Sequence, residues 1–312
     1  MARNQVQFQK GLSLNQFISL YGTEEQCFNA LFEWRWPSGF QCPSCGYDKS
    51  CRLSHRKLQQ CHRCHHQTSL TAGTIFESTK LPLTTWFQAF YLISQDKKGV
   101  SAMELHRHLG ISYNAAWRMK HKVMQVMLER DHDKPLSGFI ELDDAYLGGE
   151  RRGGKRGRGA TDKTPFVAAV ETTEEGHPIN IKLSVVDGFR STEIEKWSKQ
   201  HLSEGCTVIS DGLACFNAVT AAGCEHDKIV CGGGSASVEE PEFYWVNTIL
   251  GNLKSALRST YHAVSSKYAQ RYLSEFQYRF NRRFDLSSFI PRLAYVALRT
   301  PAMPDRLLKI GL

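Results

Sequence analysis

Phe139-Ile140-Glu141-Leu142-Asp143-Asp144-Ala145-Tyr146-Leu147-Gly148-Gly149 alternates apolar and acidic positions at period two. The pattern predicts a strand with Ile140, Leu142 and Asp144 on one face and Glu141, Asp143 and Ala145 on the other. A carboxylate row at a strand end is either a solvated edge or a set of ligands for a hard divalent cation. The second use requires another carboxylate from elsewhere in the chain. Asp211, which closes the run Cys206-Thr207-Val208-Ile209-Ser210, is the candidate.

Downstream of Lys134-Pro135 strand and helix alternate. Strands are expected over 165–172, 179–186, 206–210 and 227–231, and helices over 191–201, 213–222 and from 242 onward. Three strands, helix, strand, helix, strand, helix is the order of the RNase H-like fold, whose first strand is central with the fourth beside it. Asp143 and Asp211 then become neighbours. The last helix carries Asn247 and Lys254, seven residues apart and so on one face about two turns from each other. Between the first two strands lies a Gly-rich loop carrying Arg151, Arg152, Lys155, Arg156 and Arg158. It reads as a basic arm for a phosphate backbone or as a solvated hairpin tip.

Upstream, 83–128 is helical throughout. A short helix opens on Ser101 with Glu104 in capping-box spacing, stops at Gly110, and is followed by a helix from Tyr113. That is the shape of a helix-turn-helix, with Tyr113, Asn114 and Arg118 where groove contacts are made; a helical hairpin that only packs on its neighbours has the same outline. Residues 13–35 read as a helix pair, with Thr23 as a cap. After it, Cys42, Cys45, Cys61 and Cys64 make C-x2-C-x15-C-x2-C, two tight turns that supply the four thiolates of a closed zinc site. Such a site is a scaffold, with no open position for hydrolysis. The histidines His62, His65 and His66 are expected to face solvent, and the remaining cysteines to be small core or surface residues.

The 312 residues suit two or three domains: a helix pair with zinc ribbon over 1–80, a helix-turn-helix region over 81–134, and an RNase H-like domain with C-terminal helices over 135–312. The fold class is thus multidomain α+β and α/β. Lys and Arg outnumber Asp and Glu by 39 to 31, a net +8, which favours an anionic partner such as nucleic acid. No apolar run is long enough for a bilayer and the N-terminus has no signal-peptide pattern, so a cytoplasmic, nucleoid-associated protein without membrane partners is expected. Ten cysteines in a reducing compartment point to metal rather than to disulfides.

In combination these motifs resemble the bacterial insertion-sequence transposases that carry a zinc ribbon ahead of a DDE-type, RNase H-like catalytic domain, in the variant whose third acidic residue is Asn with a following Lys. The resemblance runs through Trp36-Pro37-Ser38-Gly39-Phe40-Gln41-Cys42-Pro43, Gly73-Thr74-Ile75-Phe76, Leu109-Gly110-Ile111-Ser112, Asp143 with Tyr146 and Gly148-Gly149, Asp211-Gly212, Asn247 to Lys254, and a closing helix from Tyr272 to Arg283. One departure stands out: relatives commonly carry Glu three residues after the Asn, where this chain has Leu250.

The resemblance implies metal-dependent DNA transposition. Asp143 and Asp211 would hold Mg²⁺ or Mn²⁺ with Asn247 as a neutral ligand, Lys254 would hold the scissile phosphate, and structural Zn²⁺ would sit in the ribbon. Glu141 and Asp144 are reserve ligands. Partners would be double-stranded DNA, at terminal inverted repeats and target, and further copies of the chain assembled on it. A DNA-binding regulator without catalysis and a nuclease of the same fold that cuts without joining are the alternatives.

Overall fold

Four helix starts among the described residues are fixed locally. Ser13 and Thr23 accept from the backbone N–H groups of Gln16 and Gln26, whose side chains accept in return from the Ser13 and Thr23 N–H groups. These reciprocal caps open α1 (Leu14–Tyr21) and α2 (Glu24–Arg35). Three short antiparallel strands follow, β1 (Ser50–Leu53), β2 (Leu58–Cys61) and β3 (Gln67–Ser69), and then α3 (Leu83–Gln95). The expected box at Ser101 and Glu104 opens α4 (Ala102–Leu109), which ends on Gly110 in the left-handed region, φ 64°. Ser112 Oγ then accepts from the Ala115 N–H at the start of α5 (Tyr113–His132).

The computed structural model describes residues 11–53, 56, 58–148, 163–230 and 241–311. They fall into two compact units. The first comprises the described residues of Met1–Asp96, Val100–Val126 and Arg283–Ile310, and the second those of Lys97–Gly99, Met127–Arg282 and Gly311–Leu312. The first unit is held by aromatics: Phe17, Tyr21, Phe76, Trp86, Phe87 and Phe90 are buried, and Tyr21 and Phe87 stand 4.9 Å apart between ring centroids. The helix Phe289–Ala297, α9 in chain order, joins this unit because its buried Phe289, Ile290 and Leu293 face α2 and α3. The Ile75 N–H of the Gly-Thr-Ile-Phe stretch donates to the carbonyl of Ala297, 3.3 Å away.

The second unit is a mixed five-stranded sheet. Its strands are β4 (Phe139–Leu147), β5 (Thr164–Thr172), β6 (Pro178–Val185), β7 (Thr207–Ser210) and β8 (Glu225–Lys228), in the order β6-β5-β4-β7-β8. Antiparallel pairing joins β4 to β5 and β5 to β6, whereas β7 and β8 run parallel to β4. The strand that opens the domain is therefore central and the fourth lies beside it, the RNase H-like arrangement. One face packs Ile140, Leu142, Val167 and Ala169 against Ile194 and Trp197 of α6 (Ser191–His201) and Phe216 and Val219 of a 3₁₀ helix over Ala214–Ala222. The other packs Ala145, Phe166, Ala168 and Val170 against Val246, Ile249, Leu250 and Leu253 of α7 (Tyr244–Tyr261). The helix Ala269–Asn281, α8, covers β6. The last strand begins two residues earlier than the 227–231 expected from the sequence, because parallel pairing of Thr207 with Glu225 sets its register. Among the described residues no helix is long and apolar enough to cross a membrane.

Candidate metal centres and active site

Each C-x-x-C turn closes the same way. The residue after its second cysteine adopts a left-handed backbone, Gly46 at φ 72° and His65 at φ 58°, and its N–H donates to the carbonyl of the first cysteine, at 2.9 Å for Gly46 to Cys42 and 3.1 Å for His65 to Cys61. This points both thiols of each turn inward. Cys42 Sγ is 3.5 Å from Cys64 Sγ and Cys45 Sγ is 3.7 Å from Cys61 Sγ, and all four lie within 4.8 Å of one another. Four sulfurs about 2.3 Å from a tetrahedral zinc stand about 3.8 Å apart, so the set fits that ion. The His66 backbone N–H draws the Cys64 thiol down to about 7, which eases loss of its proton to a metal.

The acidic centre is built by β4 and the end of β7. Parallel pairing runs out at Leu142 opposite Ser210, so the next residues, Asp143 and Asp211, emerge side by side. Asp143, Asp144 and Asp211 each place a carboxylate oxygen within 4.8 Å of the others. Asp211 Oδ1 accepts from the Leu213 N–H at 3.0 Å, and Asp143 Oδ1 from the Asp144 N–H at 2.8 Å. Burial, reinforced by the charges of Asp144 and Asp211, pushes the Asp143 carboxyl up to about 7; the Asp144 N–H and the Lys254 ammonium oppose that rise. Three carboxylates from two strands, one retaining its proton near neutrality, fit a hard divalent cation that replaces the proton.

α7 brings the remaining groups to this face of the sheet. Its N-terminal Phe243 offers no side-chain cap. The first turn is satisfied from β4 instead: Glu141 Oε2 accepts from the Val246 N–H at 2.7 Å, and the Trp245 N–H also bonds this carboxylate. Burial raises the Glu141 carboxyl to about 7 against the pull of these two N–H groups. Asn247, half-buried, follows Val246 directly, and Lys254 is exposed two turns further on. Leu250 is 6% exposed inside the apolar cluster with Ala145, Phe166 and Val170, so an ionised Glu at this position would lie in hydrocarbon.

At the start of α5, Tyr113 is 47% exposed and Asn114 is exposed. Arg118 Nε instead pairs with Asp305 Oδ1 at 2.9 Å, in the short helix α10 (Asp305–Leu308). The basic arm, with Arg151, Arg152, Lys155, Arg156 and Arg158, lies outside the described residues. Of the two reserve ligands, Asp144 belongs to the acidic cluster, whereas Glu141 caps a helix instead of joining it. The hint of that capping in the sequence is that no Ser, Thr, Asp or Asn stands immediately before Tyr244 to cap the helix from within.

Residues 135–281 match the family model of the ISXO2-like transposase domain, and residues 22–67 match that of the transposase zinc-ribbon domain. A chain of Halobacterium salinarum, described as an uncharacterized protein in transposable element ISH50, is 29% identical over 283 residues, spanning 84% of this chain and 92% of that one.

Proposed function

We propose that this chain, which matches the models of the ISXO2-like transposase domain and of the transposase zinc-ribbon domain, binds the terminal inverted repeats of an insertion sequence and catalyses metal-dependent strand cleavage and strand transfer. The observation that carries this reading is the convergence of Asp143, Asp144 and Asp211 from two strands onto one point. Asp143 and Asp211 hold the divalent cations, Mg²⁺ or Mn²⁺, with Asp144 in reach and Asn247 adding a neutral oxygen from α7. When bound, the cations activate an attacking oxygen and stabilise the leaving one. Lys254, close enough to Asp143 to lower its proton affinity, offsets the charge of the scissile phosphate. The zinc of Cys42, Cys45, Cys61 and Cys64 keeps the ribbon folded and takes no part in the chemistry.

DNA is engaged by the α4–α5 pair and the basic arm. Tyr113 and Asn114, exposed at the start of α5, read base edges in this proposal, and Arg118 reaches DNA by exchanging Asp305 for a phosphate or a guanine. Joining two ends requires copies of the chain assembled on DNA, in the cytoplasm at the nucleoid.

The test is strand transfer of a labelled duplex bearing the element's ends, in Mg²⁺ or Mn²⁺. Asp143→Ala and Asp211→Ala each abolish cleavage and joining while end binding survives. Asn247→Ala is milder, because a neutral ligand contributes less to holding the ion. Joining by the Asp143→Ala protein at the wild-type rate overturns the assignment, and cleavage without joining by the wild type makes the protein a nuclease.

A further inference from the structure

We propose that Glu141 is a positioning residue: by bridging β4 to the first turn of α7, its carboxylate sets where Asn247 stands relative to Asp143. The inference rests on the reading of this centre as catalytic, and adds to it a carboxylate that binds no cation.

The path between the two site residues is short. Glu141 and Asp143 share one face of β4, two positions apart. Val246 and Asn247 are consecutive in α7. From Asp143 to Asn247 the single non-covalent step is therefore the 2.7 Å bond from the Val246 N–H to Glu141 Oε2, which spans 105 residues of sequence. With the Trp245 bond added, one side chain takes up two of the N–H groups that a helix start leaves without partners. An oxygen at this reach accepts from both N–H groups whether the side chain is a carboxyl or an amide.

Apolar packing alone does not set this distance. Val246, Ile249, Leu250 and Leu253 hold α7 against the sheet, but apolar attraction is non-directional and resists a small shift along the helix axis less sharply than a hydrogen bond does. A hydrogen bond from the sheet to the helix terminus removes that freedom at the end where Asn247 sits. Glu141 is 7% exposed, and among the described residues the acidic cluster comprises Asp143, Asp144 and Asp211 without it. Its carboxylate is bonded to the helix instead.

The experiment uses the full-length protein in two measurements: strand transfer of the duplex ends, and Mn²⁺ affinity without DNA, read from the electron paramagnetic resonance signal of the free ion. A displacement of about 1 Å at a catalytic group costs on the order of a hundredfold. Glu141→Ala is therefore expected to slow joining by about ten- to a hundredfold, to weaken Mn²⁺ binding, and to leave binding to the ends unchanged. Glu141→Gln keeps an oxygen at the same reach and stays within a few-fold of wild type in both measurements. If Glu141 acts through Asn247, adding Glu141→Ala to Asn247→Ala slows joining by no more than about threefold beyond Asn247→Ala alone.

Wild-type rate and Mn²⁺ affinity in Glu141→Ala overturn the proposal, as do losses that multiply in the double variant. Should Glu141→Ala not fold, Glu141→Gln decides: more than a tenfold loss there means the charge itself is used and overturns the positioning role. A wild-type protein that binds Mn²⁺ but neither cuts nor joins DNA overturns the catalytic reading instead. In that case the Mn²⁺ titrations of the two variants still decide the role of Glu141.

Discussion

Asp143 is the residue on which sequence, geometry and chemistry meet. Its carboxyl is held near 7 by burial and by the neighbouring Asp144 and Asp211, and that of Glu141 near 7 by burial, against about 4 for a free carboxyl. Without metal the folded protein therefore keeps protons that the unfolded chain has released between about pH 4 and 7. The stability these two groups contribute is whole below about pH 4 and is lost as pH rises through 7. A cation taking the place of the Asp143 proton couples binding to pH in the opposite direction. Mn²⁺ binding is expected to release about one proton per site near pH 6.5 and to weaken about tenfold for each unit below pH 7. Calorimetry in two buffers of different ionisation heat measures the release; an affinity that stays flat from pH 5.5 to 7 removes Asp143 from the ligand set. Asp143 and Asp211 were legible because alternation and a strand end mark them within a few residues of sequence. The part played by Glu141 was not, because it depends on which helix N-terminus arrives from 105 residues away.

Among the elements, the outer edge of β6 shows what periodicity misses. An open edge strand leaves N–H and C=O groups bare. Here α8 supplies them with side-chain amides: the Ile181, Leu183 and Val185 N–H groups donate to Asn281 Oδ1, Gln277 Oε1 and Gln270 Oε1 at 2.7, 2.8 and 2.7 Å. Asn281 Nδ2 and Gln270 Nε2 return bonds to the Ile181 and Leu183 carbonyls, each at 3.0 Å. By sequence this stripe of Gln and Asn is the mark of a solvated face, yet Gln277 is 4% exposed. Gln277→Leu leaves the Leu183 N–H buried without an acceptor and is expected to cost about 1–3 kcal/mol. Urea unfolding of the full chain measures it, and an unchanged midpoint would mean that water replaces the amide. The ribbon was the most legible element, since the paired C-x-x-C turns carry both spacing and chemistry. Cys61→Ser is expected to lose zinc and unfold β1 to β3 while the sheet built on β4 persists. Elemental analysis with far-ultraviolet dichroism checks this, and wild-type protein purified without zinc contradicts it.

Over the whole molecule, the order of elements in the sequence predicted the sheet, because a central first strand with parallel neighbours arriving after helices constrains the topology strongly. Where the chain divides was less legible. Residues Arg283–Ile310 return to the first unit, a long-range apolar contact of α9 that no local pattern announces. Charge is the other property of the whole chain. Lys and Arg exceed Asp and Glu by 39 to 31, and five of those cations are Arg151, Arg152, Lys155, Arg156 and Arg158. Replacing all five by Gln lowers the net charge from +8 to +3. A residue that contacts phosphate releases counterions whatever the base sequence, so the replacement is expected to weaken binding to terminal and unrelated duplexes by similar factors. It should also flatten the log–log salt dependence by about one unit for each contact removed. On the proposed reading Asn114 meets base edges, so Asn114→Ala should weaken terminal duplexes more than unrelated ones and leave the slope nearly unchanged. Titrations of both duplexes across a salt series separate the two. An unchanged slope after all five replacements would leave the basic segment outside the DNA contact, and α4–α5 would then carry the affinity alone.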